Sequence, residues 1–396
     1  MKRRLLALLA GALCAMLVTA QAATKPSAAE AQPAKAAAPG VELAQTLSTI
    51  TGVAISPLLG VSAVGAWKYF HTPSEKRAKL PWFAQPWFWV PAFLLVALCL
   101  AKDTLGTAAP TALKKPFDVA DTVEHKISGL VATGAFVPFI AAVYSAPDAA
   151  TASLSAAGFA ALDLHWLYNA ILVPIAMVVF FVVFLASNAI NILILLSPFT
   201  TVDAALKGFR LFLLSTVTVT AFANPWVGAL CSLVIVVIAY FIAGWSFRLS
   251  VLGTLFVWDL VSFRRTRFTP NPAANWLFLG RKTNQVPART YGRLVRHEPG
   301  QLRLHYRPWL VLPARTLTLP AGQYTVGQGL LYSEVVRVDG DEVRTALLLP
   351  PRYRSHEAEL AKVYGFAGVR PIGLRAAFRW LKELLGFKPS PQPAAA

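Results

Sequence analysis

The sequence predicts an α-helical polytopic membrane domain of five to seven spans, followed by a small cytoplasmic β-rich domain, a barrel or sandwich, with helices at its C-terminal end. Three observations predict it. Of 396 residues, 56% are hydrophobic and only 14% are charged, against roughly 45–50% apolar and 25% charged in ordinary soluble domains. The hydrophobic residues gather into stretches near the ~20 residues that cross a bilayer as a helix. From Arg264 onward the pattern changes to short runs alternating at period two, and that tail carries 21 basic against 8 acidic residues. Such a composition excludes a typical cytosolic enzyme and a disordered polyelectrolyte. Three cysteines, Cys14, Cys99 and Cys231, are too few for a disulfide scaffold.

Residues 1–22 read as a signal peptide: Lys2, Arg3 and Arg4 precede the apolar run 5–18, and Ala20-Gln21-Ala22 supplies the small-x-small cleavage pattern. A first transmembrane anchor is the alternative, and either reading puts the following chain outside the cytoplasm. Residues 23–40, rich in Ala and Pro, form a flexible linker. The membrane domain covers 41–263. Its first span, 43–66, is interrupted at Gly52 and Pro57; the second follows Pro86 to about 101; the third is 127–144. A fourth, 165–196, would be ~48 Å long as a helix, so it must tilt, kink at Pro174 or break near Asn188 and Asn191. A short fifth (211–222) and a sixth (226–245) form a hairpin around Asn224-Pro225, with Pro198 breaking the chain before it. The seventh candidate, 247–263, carries Arg248 and Asp259.

Loop charge sets the orientation, because cytoplasmic loops hold the excess Lys and Arg. The first loop contains Lys68, Lys76, Arg77 and Lys79 against Glu75, and the tail is strongly basic. Both belong on the cytoplasmic side of a bacterial inner membrane, with the mature N-terminus periplasmic. An internal echo suggests a duplicated plan: Phe83-Ala84-Gln85-Pro86-Trp87 opens the second span and Phe222-Ala223-Asn224-Pro225-Trp226 the sixth. Independent choice of the same helix-start chemistry is the alternative, since Pro suits a first helical position and Trp the headgroup layer.

Several polar groups are candidates for chemistry. On a helix beginning near Asp118, the carboxylates of Asp118 and Asp121 share a face with the His125 imidazole, a set that could bind a divalent cation or pass protons. Helix capping by Asp118 is the simpler explanation. Lys207 and Arg210 precede the fifth span and Asp259 interrupts the last apolar segment; at membrane depth such groups need a cavity or a partner. Asn188 and Asn191 read as interhelical hydrogen-bonding residues, with ligand binding the alternative. No Walker, GxGxxG, HExxH, CxxC or GxSxG signature is present, which argues against an ATP-driven pump or a familiar membrane protease.

Lys115-Pro116-Phe117-Asp118 with Asp121, then Lys207 and Arg210 leading to Phe222-Ala223-Asn224-Pro225, carry a resemblance. Over residues 43–263 the chain resembles a bacterial multi-pass membrane protein family of unknown function. The resemblance implies a polytopic fold and draws attention to those polar positions; it implies no activity. It is incomplete, because Ala101-Lys102 stands where the family pattern has an acidic residue.

In the tail, residues 264–370 form the β-rich domain. Residues 301–307 alternate as a half-buried strand, and the runs 334–338 and 343–349 flank Asp339-Gly340, a hairpin signal. A helix starts after Ser355 and ends at Gly365; a basic amphipathic helix, 371–388, follows from Pro371, and 389–396 is a disordered tail. A β domain with a closing helix is analogous, at the level of fold, to pleckstrin-like modules.

Three functional classes stay open. The first is a transporter or channel-like protein for a small solute or ion, its site between broken helices. The second is a non-catalytic membrane scaffold binding lipid or protein through its tail, and the third a metal-dependent lipid-modifying enzyme using Asp118, Asp121 and His125. No cofactor is expected. The expected partners are the phospholipid bilayer, anionic lipid headgroups, and a second copy or another membrane protein, rather than nucleic acid.

Overall fold

The computed structural model describes residues 41–94, 96, 165–197, 199–298, 301–329, 332–339 and 342–373. Outside them lie the signal and linker, the third span, Asp118, Asp121, His125, Pro198 and the basic amphipathic helix past residue 373.

The first predicted span is two 15-residue helices, α1 (Val41–Ile55) and α2 (Pro57–His71), hinged at Ser56. Pro57, without an N–H, takes the first position of α2, where that donor would be unused. Gly52, expected to break the helix as well, lies inside α1 without interrupting it. A lone glycine costs a helix only about 1 kcal/mol, which packing overrides. Residues 86–94 are helical from Pro86 onward, after a 3-10 turn at Trp82–Ala84.

Helix α3 (His165–Leu196) runs 32 residues through Pro174 and past both asparagines without a break. Helix α4 (Thr200–Ala223) starts well before the predicted fifth span, and α5 (Pro225–Val261) is one helix of 37 residues. Its length, about 55 Å at 1.5 Å per residue, exceeds any hydrocarbon core. The predicted sixth and seventh spans are therefore a single element, and 247–263 is no separate crossing. Among the described residues three helices are long and apolar enough to cross a membrane: Pro174–Leu196, Thr201–Ala223 and Pro225–Val261.

These helices share one core, in which Val53 and Ala54 of α1, Val61 of α2, Phe180 and Val183 of α3, Val217 of α4 and Ala239 of α5 are buried with Phe83. The burial is lopsided. The apolar window of α3 is 61% buried but that of α4 only 6%, so α3 is the centre of the bundle and α4 offers its apolar surface outward. On α5, Val237, Ile238, Tyr240 and Phe241 are exposed likewise. Such surface is unfavourable in water and suits lipid.

The tail forms one mixed sheet in the order β4-β3-β2-β1-β7-β6-β5-β8. Its strands are β1 (Asn275–Leu279), β2 (Tyr291–Glu298), β3 (Gln301–Tyr306), β4 (Arg315–Thr318), β5 (Gln323–Gln328), β6 (Ser333–Asp339), β7 (Glu342–Leu349) and β8 (Val369–Pro371). Seven lie between 275 and 349; the eighth, at the expected end of the β domain, pairs parallel to β5 at an edge. Pro371, expected to begin a helix, is thus the last residue of a strand, a position tolerated because an edge strand has no neighbour awaiting its N–H. Strands β6 and β7 pair antiparallel from Ser333 with Leu349 to Asp339 with Glu342, as the hairpin signal at Asp339-Gly340 predicts. Helix α6 (Glu357–Tyr364) ends at Gly365, whose φ of 66° is the left-handed cap that glycine adopts without steric cost.

Both faces of the sheet are covered at its centre. Leu277, Leu279, Leu294, Leu304, Val326, Val335 and Leu347 line the inner core with Leu360 and Tyr364 of α6. On the other face Phe278, with Tyr291 and Leu348 beside it, packs against Ile192 and Leu195 of α3 and Leu249, Leu252 and Phe256 of α5. Gly253 lets the helices approach: a Cβ there would lie 2.1 Å from Cδ1 of Ile192.

Candidate functional site

Three arrangements of polar groups arise where these elements meet. The first is a buried layer at the α1–α2 hinge. Because Ile55 is the last residue of α1, its carbonyl is one of the four that a helix leaves without an internal partner. It accepts hydrogen bonds from Ser187 Oγ (2.7 Å) and Arg210 Nε (3.3 Å). Arg210 also donates from Nη1 to Asn191 Oδ1 (3.0 Å), and Asn188 Nδ2 donates to Ser250 Oγ (2.7 Å). Asn188 Oδ1 and Asn191 Nδ2 have no hydrogen-bond partner among the described residues. Hinge, α3, α4 and α5 are thereby tied by side chains, and two buried polar atoms remain to meet a solute or water.

The second is the foot of α5. Asp259 is fully buried there, and its Oδ2 accepts from Arg352 Nε at 2.8 Å and from the Arg352 backbone N–H at 3.3 Å. Arg352 lies in the 3-10 turn Pro351–Tyr353 that follows β7 and is itself buried. Arg264 Nη1 stands 3.9 Å from the other carboxylate oxygen. Burial pushes the neighbouring Tyr291 phenol's pKa up, and the adjoining Arg352 guanidinium opposes it. Behind the turn, Tyr353 donates to the Trp276 carbonyl (3.1 Å), and Asn275 joins Tyr353, Tyr364 and the Asn271 backbone. Burial raises the Tyr353 phenol's pKa well above its ordinary 10. This ion pair bolts the sheet to the helix.

The third is a cleft of about 700 Å³ between the end of α3, the start of α4, α5 and the outer face of the sheet. Leu193, Leu196, Leu206, Leu252 and Phe256 supply an apolar wall, and Arg248, Lys282 and Arg289 a basic rim that faces one acid, Glu334. Arg248 is held by donating from Nε to the Ala288 carbonyl at 3.1 Å, across the helix–sheet junction. Tyr332 also lines the cleft, its phenol pKa raised by burial and by Glu334.

Among the described residues the sequence-derived candidates Lys207, Arg210 and Asp259 do not converge. Arg210 joins the hinge at Pro57; Lys207 lies half-buried one turn earlier on α4. Asp259 lies about 13 Å further along α5 than Ser250, at 1.5 Å per residue, and pairs elsewhere. Asn224 caps α5 by accepting from Trp226 N–H at 2.9 Å, with Pro225 in the first turn, so both serve the hairpin. Sequence reading missed Ser187, Ser250, Arg352 and the cleft residues Lys282 and Arg289, and it noted Arg248 only as a charge in the last apolar stretch. Only the position of Arg248, three residues past Trp245 in an apolar helix, offered a signal. Among the described residues no group of three His, Cys, Asp or Glu side chains is placed to hold a metal ion. No family model, curated protein or solved structure matches this chain.

Proposed function

We propose that this chain is a membrane-embedded protein that binds an anionic phospholipid in the cleft between its helices and its sheet, and so acts as a non-catalytic scaffold whose sheet domain is held against the inner leaflet. The supporting observation is the composition of that cleft: an apolar wall and three basic side chains opposed by one carboxylate. Its height supports the same reading. Trp226 and Trp245, both exposed, stand about 28 Å apart along α5, the thickness of a hydrocarbon core. Arg248 follows Trp245 by one turn, at the level of the phosphates. Basic pockets beside membrane helices on the cytoplasmic side are suited to phosphatidylglycerol or cardiolipin headgroups. The basic composition of the tail supports a cytoplasmic position for the sheet, the side on which these lipids would present their charge.

The test is native mass spectrometry of the full chain released from phosphatidylglycerol-containing membranes. Replacing Arg248, Lys282 and Arg289 together by Gln should reduce retained phosphatidylglycerol at least tenfold while leaving phosphatidylcholine retention unchanged. Equal retention by the variant would remove the cleft from consideration.

A second reading, transport of a small solute or ion, is favoured by the hinge layer, where a broken helix, an arginine and two incompletely bonded asparagines meet inside the bundle. Flux in proteoliposomes that Arg210→Gln abolishes, with the fold retained, would support it over the scaffold.

A further inference from the structure

We propose that the turn Trp309–Leu312, between β3 and β4, inserts into the headgroup layer beside α5 and gives the sheet domain a bilayer contact of its own. Four consecutive apolar side chains, Trp309, Leu310, Val311 and Leu312, are exposed there, Val311 to 80%. A tip that faces water between strands is ordinarily built from polar and turn-forming residues. This one is apolar and held rigidly outward. Trp309 and Leu310 both have positive φ, 53° and 62°, a conformation such side chains rarely adopt. It is fixed by N–H donation from Leu310 to the Arg307 carbonyl (3.0 Å) and from Leu312 to the Pro308 carbonyl (3.1 Å).

Location names the occupant. The Trp309 ring packs against Phe247 of α5, centroids 4.7 Å apart, and Phe247 lies between Trp245 and Arg248, where the apolar length of the helix gives way to charge. The Trp309 ring also lies beside Gly244, one turn along α5 from exposed Tyr240 and Phe241. Exposed Arg307 and Arg315 flank it, so two cations stand where the phosphates of an anionic leaflet would lie. An apolar tip with basic shoulders is the pattern of an interfacial anchor, its Trp in the boundary layer and its arginines reaching to phosphate. A protein partner would need neither the match in height to Trp245 nor the paired arginines.

The inference rests on α5 crossing the bilayer, and the experiment separates the two. The full chain, with Cys14, Cys99 and Cys231 replaced by Ala, is reconstituted into phosphatidylcholine–phosphatidylglycerol vesicles. A nitroxide is attached at Val311→Cys, at Phe241→Cys as the lipid reference, or at Lys362→Cys on α6 as the aqueous reference. Power saturation with oxygen and a nickel chelate then reads depth. The expected result is an oxygen-to-nickel accessibility ratio at 311 several-fold above that at 362 and below that at 241. Replacing Arg307 and Arg315 by Gln should lower the ratio at 311. A value at 311 equal to that at 362, with 241 in lipid, overturns the anchor. A label at 311 that is immobilised and shielded from both reagents points to protein contact and overturns it too. An aqueous value at 241 overturns the membrane reading of α5, and the anchor with it.

Discussion

The Asp259–Arg352 pair makes a quantitative demand on the molecule. The Asp259 side chain is 0% exposed and that of Arg352 only 4%, with 2.8 Å between Oδ2 and Nε. At that distance two unit charges attract by about 6 kcal/mol at an effective dielectric of ~20, most of which offsets the cost of removing both from water. Arg352→Met removes the nearer cation and leaves buried Asp259 only the backbone N–H of residue 352 and Arg264 at 3.9 Å, which costs about 3 kcal/mol, the lower end for a broken buried pair. Asp259→Leu combined with Arg352→Met replaces the pair by apolar groups of similar volume and should be nearly neutral. The assay is hydrogen exchange of the full chain in nanodiscs, read at the amides of the turn itself. Tyr353 donates to the Pro350 carbonyl, Arg354 to Pro351 and His356 to Tyr353, so their protection reports docking of the turn. At 1.36 kcal/mol per tenfold, Arg352→Met should accelerate their exchange by about a hundredfold or more, and the double variant should return it to within tenfold of the parent. Acceleration below about fivefold in Arg352→Met, or equal exchange in the single and double variants, would refute the assignment of this pair as the bolt between helix and sheet.

Two further substitutions probe the same junction from either side. Gly253→Val would drive a branched side chain into Ile192, whose Cδ1 already lies 2.1 Å from a Cβ at that position; overpacking of about 1–3 kcal/mol should separate α3 from α5 and lower the melting temperature of the detergent-solubilised protein. Asn275→Ala leaves the Tyr364 hydroxyl and the Asn271 backbone N–H without the partner Asn275 supplies, a loss of about 1–3 kcal/mol per buried group. Near-ultraviolet circular dichroism should show it as earlier thermal melting of the sheet, with helical far-ultraviolet signal unchanged.

Much of this architecture is legible in the residues, and what is not legible depends on pairs distant in sequence. The Pro57 hinge, the start of α5 at Asn224-Pro225 and the α6 cap follow from local chemistry: a missing N–H, an amide side chain that accepts, a glycine free to take positive φ. The continuity of α5 does not. Arg248 and Asp259 in an apolar helix look like a boundary when their partners are unknown, and those partners, the Ala288 carbonyl and Arg352, lie 40 and 93 residues away. The run Trp276-Leu277-Phe278-Leu279 contains a hint. A strand with one wet face alternates, whereas here three successive residues are buried, the pattern of a strand covered on both sides. Nothing in the sequence says that the second cover is a pair of long apolar helices.

That cover has a mechanical consequence. The sheet meets the helices through Phe278 at its centre, through Arg352 at the foot of α5 and through Ala288 at Arg248, three contacts on one rigid element. The cleft that we assign to lipid lies among the same contacts, lined by Arg248 and Phe278 themselves and by Pro351, next to Arg352. A headgroup drawn toward Arg248 must therefore compete with, or reinforce, the bond that Arg248 donates to the sheet. Lipid binding and domain docking would then share a residue, and a coupling between them would by linkage be reciprocal. On the proposed function, a bound lipid would help to set how firmly the sheet is seated on the bundle.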